Sequence, residues 1–211
     1  MKTQREEEYW SRFAESYDGD GEYVVGKRII RLIEEALLSE RSLGNALECG
    51  CGTGTFTKAI ARNASHLTAS DLSREMLEVA RVRLREFGNV AVQEADCTSI
   101  SFPDKSFDSV FLTNLIHVID DPAQCLCESY RILRDRGYLI VVDFTGYHLS
   151  CTKKLQLVLK YLKVWGPPPR GGQNNMTPGG LQSMVERAGF HVQQVQLLTG
   201  GANALYLRGT K

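Results

Sequence analysis

Short apolar runs recur along this chain with helix-like stretches between them, and that alternation restricts the fold more than any other feature of the sequence. The runs fall at 46–48, 66–70, 90–93, 108–112 and 138–144, and the helix-like stretches cover about 54–63, 73–87 and 121–134. Runs so short and so bounded read as strands. Strands separated by helices pair in parallel, with the helices covering both faces of one sheet. Asp121–Pro122 marks a helix start, an oxygen acceptor followed by a proline suited to the first turn.

The two ends of the chain depart from this rhythm. Tyr9, Phe13 and Tyr17 recur every four positions, and Ile29, Ile30, Ile33 and Leu37 form a second apolar stripe. Both patterns predict helices, with "YDGDGEY" as a turn-rich break between them. Further on, 151–165 predicts a helix and "GPPPRGGQNNMTPGG" a loop. Thr177–Pro178 then begins a last helix that ends near Gly189. "FHVQQVQLL" and "ALYLRGTK", joined by "TGGAN", predict an antiparallel strand pair at one sheet edge. A length of 211 residues suits one domain. Its expected parts are a helical cap (1–40), a ligand-binding core (41–145), an insertion (146–178) and a C-terminal helix with two strands (179–211).

Charge narrows the partners. Basic and acidic residues balance at 25 each, so no global field draws the chain to nucleic acid or membrane. "MKTQREEEYW" lacks the character of a secretory signal, and no apolar stretch is long enough to span a bilayer. The expectation is a cytoplasmic protein. Six cysteines, at 49, 51, 97, 125, 127 and 151, then read as free thiols. Their two Cys-x-Cys pairs do not match the Cys-x2–4-Cys spacing of a zinc knuckle, so no metal is expected.

The chemistry concentrates in "NALECGCGTGTF" (Asn45–Phe56), where the first apolar run ends in Glu48 and glycines follow at 50, 52 and 54. Such glycines suit a backbone that turns sharply and comes close to a ligand. In a doubly wound sheet that turn lies beyond the strand ends, where nucleotide-like ligands bind. The dinucleotide fingerprint places its third glycine where this chain has Thr55, and a carboxylate such as Glu48 is an awkward neighbour for a pyrophosphate. A ligand with a cationic end suits Glu48 better. Three later runs also end in polar residues: Asp71, an acceptor for ribose hydroxyls; Asp96, placed for an adenine edge; and Asn114 with His117. Singly, Asp71 or Asp96 could cap a helix or turn. Together they describe one trench.

"ALECGCGTG", "SDLSREMLEVAR", "EADCTSISFPDKSFDSVFLTNLIHVIDDP" and "ESYRILRDRGYLIVVDF" resemble, in order, the motifs of class I S-adenosylmethionine-dependent methyltransferases. The similarity is strongest to the group holding the ubiquinone and menaquinone C-methyltransferases, and it covers residues 9–145. It implies a doubly wound, Rossmann-like α/β fold. The sheet would be mostly parallel and seven-stranded, with an antiparallel last strand, an N-terminal helical lid and a helical insertion after strand 5.

The resemblance also implies S-adenosylmethionine as cofactor and a small organic acceptor, aromatic, quinone-like or lipophilic. Glu48 and the loop Gly50, Cys51, Gly52 and Gly54 would hold the methionine part. Asp71 would take the ribose, with Leu72 and Met76 against adenine. Asp96 would receive the adenine amino group and Cys97 would offer its backbone N–H. Asn114 and Leu115 would line the methionine end. Tyr17, with Tyr9 and Phe13, would be a lid contact, although a helix face packed on the sheet explains the same spacing.

His117 is the candidate base, and a packed core histidine is its rival reading. Asp143, Tyr147 and His148 follow the fifth run and could face the same cavity. The wide apolar arc of 151–165 would wall a greasy pocket, touch a membrane, meet a second copy or partner, or be a buried cap. Arg170, Asn174 and Asn175 would gate entry or recognise an anionic or carbonyl group. Two other functions compete: an NAD-dependent oxidoreductase and a non-catalytic cofactor-binding partner subunit.

Overall fold

The computed structural model describes residues 3–168 and 176–211, with the backbone alone for 3–6. Three helices come first, α1 (Thr3–Ser11), α2 (Tyr17–Val25) and α3 (Lys27–Ser39). The alternating core follows as β1 (Asn45–Cys49), α4 (Thr57–Ala61), β2 (His66–Asp71), α5 (Arg74–Leu84), β3 (Val90–Glu94), β4 (Phe107–Thr113), α6 (Pro122–Ile132) and β5 (Leu133–Thr145). It closes with α7 (Cys151–Trp165), α8 (Pro178–Arg187), β6 (His191–Thr199) and β7 (Asn203–Thr210).

The strands form one seven-stranded sheet in the order β3-β2-β1-β4-β5-β7-β6. β1 to β5 pair in parallel, and β7 runs antiparallel to both of its neighbours. The direction of winding reverses between β1 and β4, which leaves a crevice beyond their carboxyl ends.

Period-two alternation sends side chains to two cores. Val110, Leu112, Leu139 and Val141 meet Leu126 of α6 and Leu181 and Val185 of α8. Phe111, Ile140 and Val142 meet Ile29, Ile33 and Leu37 of α3 and Ile60 of α4. A third cluster lies over the carboxyl ends, where Tyr9, Val24 and Trp165 gather Trp10, Phe13, Tyr17 and Tyr161.

Local signals act where expected. Asp121 caps α6 by accepting from the Gln124 N–H at 2.9 Å. The cap of α5 is Ser73 rather than Asp71, accepting from the Met76 N–H at 3.2 Å. Cys125 is buried and Cys127 exposed, as residues two apart on a helix should be. The expected break at "YDGDGEY" is instead α2; the chain turns at 12–16 and at Gly26. Asp18 and Asp20 sit in the first turn of α2, where the helix dipole favours negative charge. Tertiary bonds to Asp18 outweigh the propensity cost of Gly19 and Gly21. The helix expected over 54–63 shortens to α4, because Gly52 and Gly54 take positive φ and hold the preceding stretch as a turn. Arg170, Asn174 and Asn175 lie outside the described residues.

Candidate active site

The loop after β1 is shaped by its glycines. Gly50, Gly52 and Gly54 have φ of +72°, +53° and +82°. At Gly50 a Cβ would stand 2.7 Å from Leu115 Cδ1, so only glycine lets Leu115 close over the loop. At Gly54 a Cβ would press Leu84 Cδ1 at 3.1 Å, which makes this glycine the packing contact with α5. A Cβ at Gly52 would meet open space, which is where a ligand can approach the backbone.

Asp71, at the tip of β2, braces the loop by accepting from the Gly52 N–H at 2.8 Å and the Ser73 N–H at 2.9 Å. Burial pushes its carboxyl above the usual range, and those N–H groups oppose the rise. Asp96 accepts from the Thr98 N–H and hydroxyl, both at 2.7 Å and both on Oδ1. Asn114 holds φ +53° and donates its N–H to the Val142 carbonyl at 2.7 Å. Its side-chain Oδ1 is buried without a partner.

These residues surround a cavity of about 360 Å³, the size of a small-molecule site. Gly50, Gly52, Asp71, Leu72, Met76, Asp96, Cys97, Asn114, Leu115, His117 and Tyr17 all line it. Glu48, Cys51 and Gly54 do not. Cys51 packs with Ala69 and Leu77 behind the loop. Glu48 is paired in the sheet with Ala69 and Phe111, so its side chain leaves through a sheet face rather than along the strand axis. There it is wholly buried, Oε1 accepting from the Thr113 hydroxyl at 2.6 Å and Oε2 lacking a partner. Burial lifts its pKa to about 7, against the pull of the Thr113 and Thr57 hydroxyls.

Across the cavity His117 and Asp143 form a pair. The His117 ring Nδ1 bonds Asp143 Oδ1, and the His117 backbone N–H donates to Oδ2 at 3.1 Å. Asp143 is wholly buried on β5. Burial alone would lower the imidazole's pKa, but the Asp143 carboxylate outweighs it and raises the pKa above 6.5. With Nδ1 committed to Asp143, Nε2 is the nitrogen left for chemistry. Tyr147 and His148 do not line the cavity; they stack edge-to-face on each other, with ring centroids 4.5 Å apart.

The roof is aromatic. Tyr17 stacks on Trp165 with centroids 5.9 Å apart, and Trp10 meets both edge-on. The Tyr9 hydroxyl donates to the Trp165 carbonyl at 3.1 Å, which ties α1 to α7. Asp18 of α2 reaches down to the glycine loop, accepting from the Thr53 hydroxyl at 2.8 Å and from Thr55 and Arg83. Burial would raise the Asp18 pKa, but bonds from Arg83, Thr55 and Thr53 hold it below the usual range. Sequence reading missed Asp18, Trp10 and Trp165. An acidic residue in a glycine-bearing stretch and two tryptophans far apart in sequence carry no shared local signal.

The cavity accommodates S-adenosylmethionine. Asn114 Oδ1 needs a donor, Gly52 leaves room for close approach, Asp71 stands at the strand tip next to the loop, and Leu72 and Met76 give an apolar wall. Comparison with known proteins agrees. The family described as "Methyltransferase domain" matches residues 47–141. A demethylmenaquinone methyltransferase of Tropheryma whipplei is 31% identical over 77% of this chain and 74% of its own. One from Clavibacter sepedonicus is 35% identical over 78% and 72%. A Thermotoga maritima structure, titled an S-adenosylmethionine-dependent methyltransferase and possible histamine N-methyltransferase, superposes with a TM-score of 0.74. It is 25% identical, covering 97% of this chain and 99% of its own.

The chain therefore belongs to the class I S-adenosylmethionine-dependent methyltransferases. It is an enzyme whose cofactor is S-adenosylmethionine, and neither the oxidoreductase nor the non-catalytic reading is favoured. Among the described residues no helix is long and apolar enough to cross a membrane.

Proposed function

We propose that the acceptor is a flat, largely apolar ring bearing a hydroxyl, of the quinol kind, and that His117 takes the hydroxyl proton. The observation that carries this reading is the His117–Asp143 pair on a cavity wall facing an aromatic roof. The names of the two bacterial relatives support the same class of acceptor.

Bound S-adenosylmethionine supplies a methyl group on a cationic sulfur, ready for in-line displacement. The protein's part is to hold, align and dry the reactants. The Gly52 backbone and Asn114 Oδ1 hold the methionine end, Asp71 the ribose, Asp96 and Cys97 the adenine edge, and Leu72 and Met76 its faces. Glu48, behind the loop, acts as a positioning residue through Thr113. Tyr17, Trp10 and Trp165, packed on one another, cover the acceptor ring from one side and exclude water. The acceptor hydroxyl gives its proton to His117 Nε2, and Asp143 stabilises the imidazolium that forms. The electron-rich ring would then take the methyl group that bound S-adenosylmethionine supplies, and the ring carbon that receives it would release its own hydrogen as a proton to solvent, which restores the aromatic quinol. In this reading 41–145 is the cofactor core, 1–40 and 146–178 are the acceptor side, and 179–211 completes the sheet. Six free thiols fit a reducing, cytoplasmic compartment.

A second reading, an amine acceptor, rests on Glu22 and Glu34 lining the cavity with no lysine or arginine among its described lining residues. Turnover of an amine but not of a quinol decides for it.

His117→Gln tests the base. Single-turnover methylation of a demethylated quinol should fall about 10²–10⁴-fold, with calorimetric cofactor affinity unchanged. Unchanged turnover overturns the role. In the wild type the rate should rise with pH through a midpoint above 6.5, as the imidazolium loses its proton. Asp143→Asn should move that midpoint down.

A further inference from the structure

One face of α7 is unexplained by the active site. Leu155, Val158, Leu159 and Leu162 are 60%, 53%, 58% and 43% exposed. Their spacing of three and four places them on one stripe along about 10 Å of helix. Single exposed leucines need no explanation, but a continuous stripe marks an interaction face.

The same helix carries Lys153, Lys154, Lys160 and Lys163 and no acidic residue, in a chain whose formal charge is zero. On a helical projection Lys154 and Lys163 border the stripe on its two sides. Tyr23, 46% exposed, stands beside α7; its carbonyl accepts from Lys160 Nζ at 3.0 Å, and its ring lies under Lys160 and Lys163. An apolar stripe, flanking lysines and an amphipathic aromatic are the composition of a helix that lies in a lipid interface.

The side of α7 next to the stripe belongs to the cavity, through Tyr161 and Trp165. One helix therefore borders both the acceptor site and the apolar face. A second copy of this chain suits the face poorly. Two such helices would bring their lysines together, and four side chains fall well short of the roughly 800 Å² per partner of a stable interface.

We propose that α7 docks the protein on an anionic lipid bilayer, its leucine stripe in the headgroup–acyl boundary and Lys154 and Lys163 on the lipid phosphates. Delivery of a lipophilic acceptor past α7 follows if the quinol reading holds; docking itself does not depend on that reading.

The test is co-sedimentation with phosphatidylcholine vesicles made with and without phosphatidylglycerol. The wild-type protein should bind the anionic vesicles, weaken with added salt, and bind pure phosphatidylcholine poorly. Lys154→Gln/Lys163→Gln should weaken binding about 25-fold, near fivefold per lysine. Leu155→Gln/Leu159→Gln/Leu162→Gln should abolish it, and both variants should keep the wild-type cofactor affinity by calorimetry, which shows that they are folded. Equal sedimentation with both vesicle types, or a leucine variant that binds like wild type, overturns the proposal. So does a wild-type dimer by light scattering that the leucine variant dissolves, since the face would then belong to a second copy. A protein that binds the anionic vesicles but turns over no quinol supports docking and refutes the acceptor reading alone.

Discussion

The floor and the roof of the cavity are built on different principles. The floor is backbone on a rigid sheet: glycines at positive φ, a strand-tip carboxylate gripping two N–H groups, and an asparagine tied to the neighbouring strand. The roof is side-chain surface. Its aromatic rings come from α1, α2 and α7, and the Tyr9–Trp165 bond joins residues 156 apart in sequence. Asp18 is the polar strut between them, reaching from α2 to Thr53, Thr55 and Arg83. The floor can therefore be ready before any ligand arrives, whereas the roof can loosen without unmaking the sheet. That division suits an enzyme that holds its cofactor and admits an acceptor separately.

Asp71→Ala attacks the floor and should have the largest effect. Asp71 would accept from both ribose hydroxyls, and bonds to a charged acceptor contribute about 1.5–3 kcal/mol each, so losing two should weaken S-adenosylmethionine binding about 10²–10⁴-fold by calorimetry. A change below about tenfold would mean that the roof, not the floor, supplies the affinity.

Glu48 sharpens the picture of the floor's interior. Folded, it keeps its proton to about pH 7, whereas an ordinary glutamate loses it near 4.5. The folded chain thus holds more protons than the unfolded one between those values. Stability should decline by about 3 kcal/mol as pH rises across that window. Denaturant titrations at several pH values should show this slope in the wild type and its loss in Glu48→Gln. The same slope in both proteins would refute a buried, protonated Glu48.

The strut gives the smallest effect. Asp18→Asn removes the charge that Arg83 and two hydroxyls share. Because both Asp18 and Arg83 are partly exposed, screening limits the change to about five- to tenfold faster amide exchange in Tyr17–Val25. Equal acceleration in β1 and β2 would break the distinction between roof and floor.

Much of the floor was legible in the sequence. The glycine turn, Asp71 and Asp96 at strand tips, and the cap Asp121 are local signals, each readable within a few residues. Glu48 was expected among the ligand contacts because it ends an apolar run. Register turns its side chain to a sheet face beside Thr113, behind the loop rather than on the cavity lining. Asp143 was visible as a candidate, but its partnership with His117 was not. The two meet because β4 and β5 lie side by side, across 26 residues of sequence. α2 was misread as a turn because the glycines of "YDGDGEY" dominate its propensity, while the bonds that hold it come from Thr53, Thr55 and Arg83.

By itself the sequence determined the alternation of strands and helices, the parallel pairing that follows from it and the place of the cofactor loop. Those depend on periodicity and backbone stereochemistry, which act over a few residues. Only the tertiary structure decided which carboxylate braces the loop and which lies behind it, which histidine gains an acidic partner, and which face of α7 is left uncovered. Those outcomes depend on strand register and on contacts between distant segments. No local pattern encodes them, because the groups become neighbours only when the chain has folded.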